Sequence, residues 1–154
     1  MKSKAFDINT VPEVKISYSS KVPSNLRPII TSSALAATIL RETWQPGQLG
    51  YKEYFKILLL NRAHKVLGVC TISEGGVSGT VADPKIIFAT ALKAVCSAII
   101  LCHNHPSGNL KPSQADINLT KKLVAGGKLL DIAVLDHIIL TEDSYFAFLD
   151  EGLI

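Results

Sequence analysis

The run Ala98-Ile99-Ile100-Leu101-Cys102 is apolar on both sides of a two-residue alternation. A strand of that kind has nothing to offer water, so it belongs in the middle of a sheet whose two faces are both covered. Such a sheet needs helices, and the flanking sequence supplies them. "PKIIFATALKAVCS" reads as a helix with Asp83 as N-cap and Pro84 at its first position. "SQADINLTKKLVAGG" reads as a second helix closed by Gly126 and Gly127. Upstream, "EYFKILLLN" and "KVLGVCTIS" flank the polar "NRAH" as an antiparallel strand pair; downstream, "DIAVLDHIIL" reads as a strand and "SYFAFLDEGLI" as a short closing element. The alternation predicts an α/β (α+β) chain, a mixed sheet flanked by helices. With 154 residues, 47% of them hydrophobic, the chain can bury one substantial core and is too short for two.

Residues 1–50 are less regular, divided by Pro12, Pro23, Pro28 and Pro46. "VKISYSSK" has strand character, "TSSALAATILRETW" has the spacing and start of a helix ending near Trp44, and "QPGQLG" reads as a linker. The expected organisation is an N-terminal extension over residues 1–50, packed on a core domain over residues 51–154. Sixteen Lys and Arg against 13 Asp and Glu give a net charge of +3, without the dense basic clusters of a nucleic-acid surface. Cys70, Cys96 and Cys102 lack CxxC spacing and sit among apolar neighbours, as reduced core thiols do. No stretch reaches the ~18 to 20 apolar residues of a membrane span, and "MKSKAFDINTVPEVK" has no signal-peptide apolar segment. The expectation is a cytoplasmic protein with no membrane partner.

The chemistry is concentrated just past the apolar run. His103 and His105 are separated by one residue at a strand end, so both rings point to the same face, roughly 7 Å apart along the backbone. Pro106 ends the strand and leaves the pair at an open rim. Asp116 falls in the first turn of the next helix, with Leu119 and Leu123 at i+3 and i+7, so it lies on the inward stripe. Two imidazoles and a carboxylate are a zinc set that leaves a fourth tetrahedral position for water. Ser113 and Asp116 also have capping-box spacing, which needs no metal. An HxH pair alone carries little; joined to a chain-reversing Pro-Ser-Gly and an acid returning to the same face, it favours a metal site.

The pattern His103-Asn104-His105-Pro106 followed by Ser113-Gln114-Ala115-Asp116 resembles the JAMM motif of MPN (JAB) domain metalloproteins. With "GTVADPKIIFATALKA" before it and "LLDIAVLDHIIL" after it, the chain from about Tyr51 to its end resembles the RadC-like branch. The resemblance implies an MPN or cytidine-deaminase-like sheet and one Zn2+ per chain held by His103, His105 and Asp116. It also implies a glutamate on an early strand that moves the proton of the zinc-bound water. By position this is Glu53, with Glu74 in "SEGG" as the fallback. Ser113 would donate to the developing oxyanion, a role its hydroxyl cannot fill at full strength while capping the helix. Asn104 stands where deubiquitinase-type members have serine or threonine, so their substrates do not carry over. Residues 1–50 are too short for, and lack the glycine pattern of, the helix-hairpin-helix DNA-binding segment of longer RadC-like proteins.

These readings predict a zinc-dependent hydrolase of the metallopeptidase or isopeptidase type, acting on an unidentified protein or peptide. Two alternatives from other classes are a DNA repair or recombination factor, acting as nuclease or accessory protein, and a non-catalytic zinc-binding interaction module. His137, beside Asp136 in a strand, reads as a structural group or one supporting the ligands, and His64 as an exposed turn residue. "EGGVSG" lacks the GK[ST] ending of a phosphate loop and reads as a flexible rim.

Overall fold

A computed structural model of the protein describes Pro12, residues 19–76 and residues 81–154. Most of "VKISYSSK" and part of "EGGVSG" lie outside the described residues; Ser19–Lys21, the described end of the former, form no strand. The elements in chain order are α1 (Ser33–Arg41), β1 (Tyr54–Leu60), β2 (Val66–Glu74), α2 (Pro84–Lys93), β3 (Ala98–Asn104), α3 (Gln114–Leu129), β4 (Ala133–Leu140) and β5 (Tyr145–Ala147). The apolar run is the central strand of a five-stranded sheet ordered β2-β1-β3-β4-β5, and every residue of β3 is buried. It pairs antiparallel with β1 and parallel with β4. Parallel neighbours need a crossover, and α3 is that crossover. The fold is thus the expected mixed sheet flanked by helices.

Strand alternation divides the core into two layers. Phe55, Ile57, Leu59, Ile99 and Leu101 pack with Ile87 and Ala91 of α2 and Leu123 of α3. Leu58, Leu60, Ile100 and Cys102 pack on the other side with Ala36, Ala37 and Leu40 of α1. Removing side chains such as Ile57, Ile99 and Leu101 from water contributes about 1.5–3 kcal/mol each. Cys96 and Cys102 are buried free thiols and Cys70 is half-buried. Burial pushes the Cys102 thiol out of the range in which it ionises.

Local signals hold at most helix starts. Asp83 accepts the Lys85 N–H with Pro84 at the first turn, and Ser32 accepts the Leu35 N–H at α1. Helix ends differ more. α1 stops at Arg41, where Thr43 and Trp44 close tighter bonds to Leu40 and Arg41. α2 stops at Lys93, ahead of Val95 at φ +53°. Gly126 and Gly127 do not end α3, which runs two residues further to Leu129. Their lack of a side chain serves packing instead: a Cβ on Gly127 would lie 2.3 Å from the Ile132 carbonyl oxygen, and one on Gly126 would lie 3.0 Å from the Phe88 ring.

One irregularity aims the site. Ile99 pairs with Val134, but Ile100 pairs with Asp136, so β4 carries an extra residue. A bulge of this kind reverses the facing of everything beyond it. His137 therefore shares the face of Val134, toward α3 and His103, while Asp136 turns to the α1 side.

Candidate metal centre

His103 is the penultimate residue of β3 and is 1% exposed; His105 follows the strand. Beyond Pro106 the chain reverses through Gly108 at φ +79°, a conformation open to a residue without Cβ. The reversal brings the Asn109 carbonyl to His105 Nδ1 at 2.5 Å. A carbonyl only accepts, so Nδ1 donates and the neutral ring keeps its lone pair on Nε2. That Nε2 lies 2.9 Å from His103 Nε2.

Asp116 completes the cluster from the first turn of α3. Its Oδ1 lies 3.3 Å from His103 Nε2 and its Oδ2 4.0 Å from His105 Nε2. A tetrahedral ion bonded at about 2.0–2.1 Å spaces its donors roughly 3.3 Å apart; the His103–Asp116 pair has that spacing, the two imidazoles are closer, and the ligand atoms of all three residues lie within 4.8 Å of one another, near enough to converge on one cation. Among the described residues these are the one His/Cys/Asp/Glu group able to hold a metal. Asp116 meets both readings of its spacing. The capping box is formed: Ser113 Oγ accepts the Asp116 N–H at 3.1 Å, and the Ser113 N–H donates to Asp116 Oδ2 at 2.7 Å. The Ser113 hydroxyl donates to the same Oδ2 at 2.6 Å. Burial pushes the Asp116 carboxyl up, but the neighbouring His103 ring, with the Ser113 hydroxyl and N–H, outweighs it and holds the group well below the usual carboxylate range.

Glu53 immediately precedes β1 and is half-buried; its N–H donates to the Gly76 carbonyl and its carbonyl accepts from the Gly75 N–H. Phe55 pairs with His103, so alternation puts Glu53 on the His103 face at the same rim. Asn104 anchors this segment. Fully buried, its amide donates to the Leu49 and Lys52 carbonyls at 2.8 and 2.9 Å and accepts the Tyr54 N–H at 2.8 Å. It thus grips the backbone on both sides of Glu53. Glu74 ends β2 and is ion-paired with Lys52 at 2.8 Å. His64 is exposed in the β1–β2 turn, at the opposite end of β1.

His137 is fully buried beside the cluster, its Nε2 2.8 Å from His103 Nδ1 and its Nδ1 2.7 Å from Thr120 Oγ1. Burial, then the neighbouring His103, pull its pKa well below the ordinary histidine value. Phe55 stacks on His103 with centroids 6.0 Å apart, and Phe148 on His137 at 4.8 Å. Sequence reasoning passed over Asn104 as an anchor and Thr120 altogether. Thr120 did carry a signal, since it lies four residues after Asp116 on the same helix face.

HxH at the end of the central strand and an aspartate at the start of the crossover helix are the structural setting of the motif that resembles the JAMM pattern. The model of the RadC-like JAB domain matches residues 30–153, and the chain belongs to that family. Among its relatives is a UPF0758 protein of Flavobacterium johnsoniae, 45% identical over 126 residues, covering 80% of this chain and 53% of that protein. Another from Alkaliphilus metalliredigens is 47% identical over 102 residues, 66% of this chain and 44% of that protein. A third, from Thermosynechococcus vestitus, is 45% identical over 119 residues, 76% and 46% respectively. The chain spans about half the length of the curated relatives it matches. No helix among the described residues is long and apolar enough to cross a membrane.

Proposed function

We propose that the chain is a zinc-dependent hydrolase that cleaves an amide or isopeptide bond in a protein or peptide, with His103, His105 and Asp116 holding the ion. The observation that carries this reading is the convergence of two imidazole Nε2 atoms 2.9 Å apart with a carboxylate oxygen 3.3 Å from one of them. His105 Nε2 carries a lone pair there, so the contact needs either a proton or a cation between the two nitrogens. Zinc in such a site supplies a Lewis acid that lowers the pKa of water to about 7 and polarises a carbonyl. Glu53 takes the proton of the attacking water and delivers it to the leaving nitrogen. Ser113 turns its hydroxyl from Asp116 Oδ2 to the developing oxyanion, while its N–H continues to satisfy that oxygen.

Zinc content and turnover of a peptide and isopeptide library test the reading together. Wild type is expected to hold one zinc and to cleave, and the His103→Ala/His105→Ala double variant to lose both. Glu53→Gln should keep the metal and lose about 10²–10⁴-fold in rate. A wild-type chain unable to take up zinc overturns the site. Zinc bound with no difference between wild type and Glu53→Gln on any substrate would favour a non-catalytic zinc-binding module.

A further inference from the structure

We propose that His137 and Thr120 are positioning residues: they form a hydrogen-bonded bridge of one fixed polarity that holds His103 with its proton on Nδ1 and its lone pair on Nε2, aimed at the ion. The inference rests on the metal site described above.

The polarity follows from counting donors, starting at the far end. Thr120 Oγ1 lies 2.6 Å from the Asp116 backbone carbonyl, which can only accept, so the single hydroxyl proton of Thr120 is spent there. Oγ1 must then accept from His137 Nδ1, 2.7 Å away. A neutral His137 with its proton on Nδ1 presents a bare Nε2, and His103 Nδ1, 2.8 Å away, must donate to it. His103 is left with an unprotonated Nε2, and that atom faces His105 Nε2 and Asp116 Oδ1. Along the bridge each link has one direction, set by the Thr120 hydroxyl; at its His103 end the bare Nε2 meets the lone pair of His105 Nε2, which a cation bonded to both would satisfy.

The bridge also joins the elements that supply the ligands. It leaves β3 at His103, passes through β4 at His137, and ends on the backbone of α3 at Asp116, itself the carboxylate ligand. The β4 bulge is what turns His137 onto this face. Both ligand-bearing elements are therefore tied together by groups that do not touch the metal. All three bridging side chains are about 1% exposed or less, so water does not compete for their hydrogen bonds. Partners that orient a ligating histidine in this way typically change metal affinity by about 10–100-fold.

The test combines zinc affinity by chelator competition with the imidazole ¹⁵N NMR of His103 in the metal-free wild type and in Thr120→Val and Thr120→Ser. Wild type is expected to show a single His103 tautomer protonated on Nδ1. Thr120→Val, near-isosteric but without the hydroxyl, should mix tautomers and weaken zinc binding about 10–100-fold, and Thr120→Ser should restore both. Zinc binding by Thr120→Val at wild-type affinity overturns the bridge alone and leaves the metal site standing. A wild-type chain that takes up no zinc overturns the metal site and the role given to the bridge. The wild-type spectrum decides the polarity even where Thr120→Val does not fold: a His103 proton on Nε2 contradicts it.

Discussion

Asp136 places a carboxylate where the sheet offers it only half of what it needs. Its Oδ1 accepts the His137 and Leu149 N–H groups at 2.7 and 3.0 Å, while Oδ2 is buried without a partner. Burial raises its pKa above 3.8, and the Leu149 N–H, the nearby Ser33 hydroxyl and the His137 N–H offset that only in part. The unfolded chain therefore loses this proton at a lower pH than the folded chain does. Between the two values stability falls as pH rises, and the cost persists above the folded value. Asp136→Asn keeps an oxygen for the two N–H groups and removes the ionisation. Urea midpoints measured from about pH 4 to about pH 7 should lose this downward component, with stability near pH 7 at or above wild type. An unchanged slope would assign it to other groups. Asp136 and His137 divide by face: Asp136 pins the backbone on the α1 side, and His137 meets His103 on the other.

At the scale of elements, the informative failure is α3. Gly126 and Gly127 have the composition of a helix stop, yet the helix passes through both because the chain after it returns close against Gly127. Alanine there would gain about 1 kcal/mol of helix propensity and meet the Ile132 carbonyl oxygen at 2.3 Å. The clash involves backbone and cannot be relieved by turning a side chain. Gly127→Ala should therefore destabilise the fold by about 1–3 kcal/mol in chemical denaturation. A neutral or stabilising result would show that the return strand yields. Where local chemistry decides, the elements were legible: Asp83-Pro84 starts α2, and the apolar alternation of Ala98–Cys102 makes β3 the central strand. Where a distant partner decides, as at Gly127 or the β4 bulge, a single sequence offers no signal, because the residue that fixes the outcome lies in another element.

Across the molecule, the proposed site draws on four parts of the chain: the segment before β1, the end of β3, the start of α3 and the middle of β4. The candidate ligands were readable because His103, His105 and Asp116 fall in one short stretch whose reversal is local. Asn104 was not, and Thr120 showed only through its spacing from Asp116, because their partners Leu49, Lys52, Tyr54 and His137 reach them only once the sheet is assembled. Glu53 shares that dependence, and Asn104 is the group that joins its segment to the ligand strand. The parallel β3–β4 pair with α3 across it holds the histidines, the aspartate and the His137–Thr120 bridge in one rigid unit.

X-ray absorption at the zinc edge of the zinc-loaded chain tests the central claim most directly. The account predicts about four nitrogen and oxygen donors at about 2.0–2.1 Å, two of them imidazoles, in a shell that collapses in Asp116→Ala. A sulfur shell at about 2.3 Å, which His103, His105 and Asp116 cannot supply, or no zinc uptake by the wild-type chain, would contradict it.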